Sequence, residues 1–440
     1  MIMMLGLAAM LLVVYGLVRG LAAPIAVLLL IPIGAALLAG FSLHQIGEFA
    51  EQGMKSVFPI ATLFLFAVLF FSVVRDAGMF DPLVKLVLRL SGDNIPRVTV
   101  ATSVVAIAVM LEGIGPATFL ITISTFLPIY DRLGLSRYDL LFITGLSAGV
   151  VNFAPWGGPM GRASLALHLS PVSVWMGLIP LMVIGVVTAL GVAAWVGQRA
   201  KMQLAASERC GAPTAPAIAG SPITQAAVAL DARRHHPSIY WINVGLTIAA
   251  VACMFLTKLP PTLIFLTALC LALIVNFKAP AQQAAQIKAH AGDAVAVSAL
   301  MLSAGCFIGI MTGSGMFPAV SAMLIELVPE ALGRYIHVII GAFSIFLGIL
   351  FSPDAFYLGL MPMVNGVAGA HGIPPESVTH AMMLGECVGF SATPAVPSAF
   401  LAAGLAGCDL GKFMRLAVLR LWLVSLVMLA AGVLFGIISV

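Results

Sequence analysis

The chain has 440 residues, of which 61% are hydrophobic and only 9% are charged, and its formal net charge is +4. Soluble domains carry about 25% charged residues, so this composition excludes an ordinary water-soluble protein. The small net charge gives no reason to expect a nucleic acid partner. Apolar runs of about 20 residues instead predict an all-α polytopic membrane protein, which we place in a bacterial inner membrane with lipid around it.

The first half of the chain, 1–197, begins with three apolar runs. Its predicted membrane spans are 2–18, 22–40, 57–76 and 173–197, with an amphipathic segment at 79–91. Residues 97–130 form two apolar halves around Glu112-Gly-Ile-Gly-Pro116, a pattern that predicts a helical hairpin re-entering the membrane. The remaining segment, 139–167, is predicted to be a broken span.

This broken span contains Asn152-Phe-Ala-Pro-Trp-Gly-Gly-Pro-Met-Gly-Arg162 at a depth where a membrane helix should continue. Its two prolines remove backbone donors, and its three glycines remove the steric barrier to unwinding. Open backbone within a bilayer is tolerated only where it is buried in protein or lines a water-filled cavity. Arg162 adds a permanent cation beside the break, and a charge within the membrane indicates a functional site.

Residues 198–238 are polar and rich in Ala and Pro, which predicts a flexible cytoplasmic linker. The second half, 239–440, repeats the pattern of the first. Its predicted elements are spans at 239–257, 261–277, 294–312 and 413–438, an amphipathic piece at 318–330, a hairpin at 335–370 that turns at Ser352-Pro-Asp354, and a broken span at 376–406 that includes Gly389-Phe-Ser-Ala-Thr-Pro-Ala-Val-Pro-Ser398.

The two halves also match in sequence at a constant offset of 237 residues, so that Gly78-Met79-Phe80 aligns with Gly315-Met316-Phe317 and Pro116 aligns with Pro353. Five crossings in each half would invert the second repeat relative to the first. With both termini periplasmic, seventeen Lys and Arg fall on the cytoplasmic side, three fall outside and Arg162 lies within the membrane, as the positive-inside rule requires. Gly/Pro-interrupted segments in matching halves indicate a secondary transporter with its site near the midplane.

The few ionisable residues at membrane depth carry the predicted chemistry, since each needs a partner or water there. We expect Arg162 to bind a substrate carboxylate, and Glu112, Asp354 and Glu386 to carry a proton or contact a coupling ion. The alternative for these four charges is a set of ion pairs that anchor helices. The half-helix N-termini that follow the breaks suit anions, and the side chains expected to donate hydrogen bonds there are Thr118, Asn152, Ser391, Thr393 and Ser398.

Four segments, Phe119–Gly134, Asn152–Arg162, Asp354–Pro362 and Pro394–Ser398, resemble the citrate–divalent-metal/proton symporter family (CitMHS) of the wider ion transporter superfamily. The resemblance covers nearly the whole chain except the linker. It implies a homodimer in which a transport domain of hairpins and broken helices moves as an elevator against a fixed scaffold. It also implies a binding region at 112–118, 152–162, 352–357 and 391–398, and so adds to the candidate substrate site Pro116, Ala117, Trp156, Gly157, Gly158, Ser352 and Pro394.

One departure from the family pattern concerns the cargo. Where the family reads Leu-Asp-Gly-Asp-Gly-Ala-Thr-Thr at the first hairpin, this chain has Leu111-Glu-Gly-Ile-Gly-Pro-Ala-Thr118. Ile114 thus replaces a carboxylate, and hard divalent cations want several oxygen ligands. The sequence therefore leaves open whether Mg²⁺ or Ca²⁺ travels with the substrate, and it assigns no metal site and no cofactor.

These observations predict a secondary active symporter for a citrate-like di- or tricarboxylate, driven by protons, with or without a bound divalent metal. A sodium-coupled carrier is the first alternative, because unwound carbonyls at 152–158 and 391–397 can equally ligate sodium. An anion channel is a further alternative, although a channel does not need inverted broken repeats. A membrane sensor is disfavoured because the linker is too short for an output domain, and an enzyme is disfavoured because no motif with catalytic spacing appears.

Overall fold

The computed structural model of the protein describes residues 2–19, 21–92, 94–209, 237–257, 259–327 and 329–440. In these ranges every regular element is a helix, as the composition predicts. Six of the helices described are long and apolar enough to cross a membrane, and six shorter ones are also apolar. The prediction of an all-α integral membrane protein is therefore confirmed. The greater part of the predicted linker, 210–236, lies outside the described residues.

The helices of the first half are α1 (Ile2–Arg19), α2 (Pro24–Leu38), α3 (Leu43–Asp76), α4 (Asp81–Ser91), α5 (Ile95–Met110), α6 (Gly115–Arg132), α7 (Arg137–Gly149), α8 (Gly158–Ala166) and α9 (Pro171–Arg209). Those of the second half are α10 (Pro237–Leu256), α11 (Pro261–Asn276), α12 (Pro280–Gly313), α13 (Met316–Leu327), α14 (Glu330–Gly333), α15 (Ile336–Leu350), a π-helical turn (Ala355–Leu360), α16 (Met361–Ala370), α17 (Pro375–Gly389), a 3₁₀ turn (Phe390–Ala392), α18 (Pro397–Ala406) and α19 (Leu410–Leu434).

Several helices extend well beyond the predicted spans. α3 begins at Leu43 rather than at 57, and α9 runs through Arg209 rather than ending at 197. The extension of α3 has a local cause, because Ser42 and Gln45 form a reciprocal capping box at its start. Hydropathy marks only the apolar part of a helix, whereas capped polar turns can continue it beyond the apolar run.

The helix boundaries of the two halves follow the same offset of 237 residues. α3 covers Leu43–Asp76, and α12 covers Pro280–Gly313. These two helices cross antiparallel, and Ser298 Oγ donates at the crossing to the carbonyl of Ala61, its counterpart in the first half, at 3.1 Å. Such a contact between equivalent residues is expected where an in-plane two-fold axis relates two halves. The inverted repeat itself stays a prediction.

Glycines allow α3 and α12 to approach closely, because small residues bring helix backbones into contact. A Cβ built on Gly53 would overlap the carbonyl oxygen of Gly305 and lie 2.8 Å from the Cα of Gly309. We expect Gly53→Ala to destabilise the protein by about 1–3 kcal/mol, as overpacking does. Gly47→Ala is the matched control, since a Cβ there meets nothing within 4 Å. Thermal unfolding of the two variants measures the difference, and equal midpoints would contradict this packing.

The broken helices lie at the centre of the molecule. In α7 every residue from Leu140 to Gly149 is buried, and in α17 the same holds from Ser377 to Gly389. A helix that is buried on all sides is surrounded by other helices. The largest buried apolar cluster accordingly includes side chains of both broken helices together with those of α5, α6, α9 and α19.

Candidate functional site

The first component of the candidate site is the break between α7 and α8. Residues 150–157 leave the helix, and the chain becomes helical again at Gly158. Pro159 in the first turn of α8 has no amide hydrogen to offer, and Gly157 at the N-cap has extended backbone without a side-chain cap. In the part of the chain that the structure describes, no side chain caps the amide groups that begin α8, and a helix N-terminus of this kind suits an anion.

The second component is the break between α17 and α18. After the 3₁₀ turn the chain runs extended, and Thr393 Oγ1 donates to the carbonyl of Gly348 in α15 at 2.7 Å. This hydrogen bond ties the second break to the second hairpin. Ser391 is fully buried, and its hydroxyl has no hydrogen-bond partner among the residues that the structure describes. α18 begins at Pro397 and, like α8, lacks a side-chain cap.

The turn of the first hairpin lies between these two breaks. The chain reverses direction at Gly113, whose φ of +87° is a left-handed conformation that favours glycine. On one side, Trp156 Nε1 donates to the carbonyl of Leu111 at 3.2 Å. On the other side, a Cβ built on Gly115 would lie 3.6 Å from Ser398 Oγ. Elements far apart in the chain are therefore brought together around this turn.

The second hairpin turn contacts α8 through an ion pair. Arg162 Nε donates to Asp354 Oδ1 at 2.5 Å, and the two side chains are 21% and 11% exposed. The guanidinium uses only this nitrogen, since its two terminal nitrogens have no hydrogen-bond partner among the residues described. One of them, Nη1, would lie 2.9 Å from a Cβ built on Gly158. The free end of the guanidinium is therefore at the N-terminus of α8.

Glu386 and Tyr357 extend this network into α17. The Tyr357 hydroxyl donates to Glu386 Oε2 at 2.5 Å and lies 3.6 Å from Cys387 Sγ. Glu386 also interacts electrostatically with Arg162. The Arg162 guanidinium thus has a hydrogen bond to Asp354 on the second hairpin and an electrostatic interaction with Glu386 on the broken helix. Sequence reasoning did not single out Tyr357, although it belongs to the Asp-Ala-Phe-Tyr motif.

Glu112 has a different partner, Arg75 at the end of α3. Arg75 Nη1 donates to Glu112 Oε1, and the Glu112 side chain is wholly buried. Arg75 Nε also lies 3.7 Å from Asp76 Oδ1, and Asp76 Oδ2 lies 2.8 Å from His290 Nε2 of α12. The charge count assigns Arg75 to the cytoplasmic side, and this assignment stays a prediction. The structure places the Arg75 guanidinium against the turn of the first hairpin.

The other predicted residues divide by exposure. Those at least partly exposed are Pro116, Gly158, Arg162, Ser352 and Pro394, and those buried are Ala117, Thr118, Asn152, Trp156, Gly157, Ser391, Thr393 and Ser398. Thr118 bonds within its own helix, to the carbonyl of Ile114 at 3.2 Å. Trp156 packs against Phe71 and Phe265, with ring centroids 5.0 and 5.4 Å away. Trp156 therefore positions the first break through packing and one hydrogen bond.

The structure joins Arg162, Asp354 and Glu386 in one network, whereas Glu112 belongs to a separate ion pair. Within the described ranges, no three His, Cys, Asp or Glu side chains come together in a way that could hold a metal ion.

Sequence comparison finds relatives of similar length. A citrate transporter of Bacillus subtilis is 33% identical over 439 residues, which cover 100% of both chains. A Mg(2+)/citrate complex secondary transporter of the same organism is 32% identical and covers 94% of this chain and 93% of its own. The uncharacterized transporter YraO, also of Bacillus subtilis, is 32% identical over 95% of this chain and 94% of its own.

Solved structures of low sequence identity share the fold. The YdaH transporter of Alcanivorax borkumensis has a TM-score of 0.63 at 15% identity, over 90% of this chain and 88% of its own. MtrF of Neisseria gonorrhoeae, from a class of antimetabolite efflux pumps, has a TM-score of 0.54 at 12% identity, over 88% and 83% of the two chains. The model of the citrate transporter family CitMHS matches residues 1–385. This chain is therefore a member of the CitMHS citrate transporter family.

Proposed function

We propose that this protein is a secondary active transporter of a citrate-like di- or tricarboxylate. The observation that carries the proposal is the position of Arg162. Its Nη1 lies beside the uncapped N-terminus of α8, and neither of its terminal nitrogens has a hydrogen-bond partner among the described residues. A guanidinium binds a carboxylate through two parallel hydrogen bonds. The positive end of the helix dipole at the N-terminus of α8 attracts the same anion. The citrate named for two relatives supports this class of substrate.

The coupling mechanism we propose uses Asp354. In the present arrangement Asp354 holds Arg162 Nε at 2.5 Å, and a substrate carboxylate must share or replace that contact. Protonation of Asp354 removes its negative charge, so the Arg162 guanidinium becomes free to bind the substrate carboxylate. Proton and substrate therefore bind together. Glu386 is the second candidate proton carrier, since it interacts electrostatically with the same cation. Sodium coupling through the unwound carbonyls of the two breaks is the alternative.

The transport movement we propose is an elevator in a homodimer. Hairpins and broken helices form the moving unit, and each ligand stabilises the states that it prefers. The parallel helix boundaries of 1–197 and 239–440, and the crossing of α3 with α12 at Ala61 and Ser298, support the inverted repeat that such a movement uses. The protein would lie in the inner membrane with both termini periplasmic and the 198–238 linker cytoplasmic.

Labelled citrate uptake into proteoliposomes under an imposed pH gradient tests the proposal, with and without added Mg²⁺ or Ca²⁺. We expect an inward proton gradient to drive uptake that a sodium gradient cannot replace. Uptake that requires the metal would identify complexed citrate as the cargo, as the name of one relative states for that protein. Uptake that the metal inhibits would identify free citrate. Absence of citrate uptake under every ion condition would contradict the assignment of citrate itself.

A further inference from the structure

A separate group of charged residues lies where four helix ends meet, at the end of α6, the start of α7, the end of α18 and the start of α19. Arg137 donates to both carboxylate oxygens of Asp131 at 2.8 Å and so joins α6 to α7. The backbone N–H of Asp409 donates to the Tyr138 hydroxyl at 3.4 Å and joins α7 to α19. These contacts fix the spacing between the first turns of α7 and α19.

A cavity of about 260 Å³ lies between these two helix starts. Two cations line it, and each is held by an aromatic face. Lys412 Nζ lies 5.0 Å from the ring centre of Tyr138, and Arg420 Cζ lies 5.5 Å from that of Phe142. Among the residues described, neither cation is in an ion pair within 4.0 Å. Because cation–π contacts are weak, the aromatic rings do not neutralise either charge.

One carboxylate, Asp139, also lines the cavity. Arg420 and Arg199 both interact electrostatically with Asp139, which partly compensates its charge. Lys412 has an exposed side chain, and the carboxylate of Asp409 accepts a hydrogen bond from its backbone N–H at 2.6 Å. With Lys412, Arg420 and Asp139, the lining of the cavity carries a net positive charge.

The face of α19 beside the cavity is apolar. Leu416 lines the cavity and is 43% exposed, while Leu419 and Leu423, on the same helical face, are 59% and 54% exposed. In a protein that spans a membrane, such a stripe faces acyl chains. A ligand that places a phosphate in the cavity and hydrocarbon along this stripe matches both features, whereas a free phosphate matches only the first.

We propose that this cavity binds the headgroup of an anionic phospholipid. Its phosphate contacts Lys412 and Arg420, and one acyl chain lies along Leu416, Leu419 and Leu423. Basic pockets between transmembrane helices recognise lipid headgroups in this way. A lipid bound here holds the first turns of α7 and α19 together, so it stabilises the helix end of one broken segment.

Thermal unfolding of the purified full chain in detergent tests the site, with phosphatidylglycerol titrated in. We expect phosphatidylglycerol to raise the midpoint more than phosphatidylcholine does. Lys412→Gln combined with Arg420→Gln should weaken this binding roughly thirty-fold. Lys412→Gln alone removes an exposed side chain and should weaken binding roughly five-fold without impairing folding. Arg415→Gln is the matched control, since Arg415 is exposed on the same helix outside the cavity.

Three results would overturn the proposal. The first is phosphatidylglycerol binding that both Lys412 variants retain in full. The second is an equal loss in the Arg415→Gln variant, which would indicate a general surface charge effect. The third is equal stabilisation by soluble glycerol 3-phosphate, which would assign the cavity to free phosphate esters rather than to a lipid.

Discussion

Replacing Arg162 by alanine is expected to reduce citrate uptake by roughly 100-fold or more, because two charge-assisted hydrogen bonds to the substrate are lost. The variant also leaves Asp354 buried without its counter-ion, and an unpaired buried charge destabilises a protein by about 3–5 kcal/mol. Uptake of labelled citrate into proteoliposomes, normalised to folded protein, measures the effect on transport alone.

Two further variants distinguish the role of Arg162 in substrate binding from its role in folding. The double variant Arg162→Ala with Asp354→Ala removes both charges of the pair, so it should recover stability but not uptake. Arg415→Ala is the matched control for loss of an arginine, and we expect normal uptake from it. Near-normal uptake by the Arg162 single variant would remove Arg162 from the site, and uptake restored in the double variant would make the pair a helix anchor.

Breaking the ion pair between Arg75 and Glu112 is expected to have the second largest effect. Arg75→Met leaves the buried Glu112 carboxylate without its partner, which should lower the free energy of unfolding by about 3–5 kcal/mol. Glu112→Leu should cost less, because the Arg75 side chain is 18% exposed and its Nε still lies 3.7 Å from Asp76 Oδ1. The double variant replaces both charges by apolar groups of similar volume and should be about as stable as the original protein. Thermal unfolding of the three variants measures this non-additivity.

Citrate uptake by the same double variant distinguishes a role of the Arg75–Glu112 pair in coupling from a purely structural role. If Glu112 takes part in coupling, the stable double variant should still fail to accumulate citrate under a pH gradient. Full uptake by the double variant would show that Arg75 and Glu112 only anchor the first hairpin to α3. Glu112 would then no longer be a coupling candidate, and Asp354 and Glu386 would remain.

The sequence predicts most reliably those features that depend on the backbone of the residues themselves, such as a break in a helix. Closely spaced prolines and glycines disfavour a continuous helix, so the pattern at 152–162 predicts an interruption, and in the structure α7 ends at Gly149 and α8 begins at Gly158. A single proline is not enough, since Pro59 lies inside α3. Intramembrane charge likewise singles out Arg162 and Asp354 without reference to any neighbour. Hydropathy is weaker at helix ends, where the capping box of α3 adds turns that are not apolar.

Pairings between distant residues could not be predicted in the same way. Arg162 and Asp354 are 192 residues apart in the chain, and nothing local identifies one as the partner of the other. Arg75 and Glu112 pair because α3 passes beside the first hairpin turn, which is a property of packing. The sequence therefore pointed to Glu112, Arg162, Asp354 and Glu386 but not to Arg75, and their division into two separate groups required the structure.

The concentration ratio of labelled citrate across the proteoliposome membrane at steady state tests the central claim most directly. A secondary active transporter supplied with its coupling gradient accumulates citrate above the external concentration, and the ratio should fall to equilibrium when an ionophore removes the gradient. We predict accumulation that the Arg162→Ala variant abolishes. A ratio that follows only the electrochemical equilibrium of citrate itself, whatever coupling gradient is imposed, would contradict the claim and would indicate a channel.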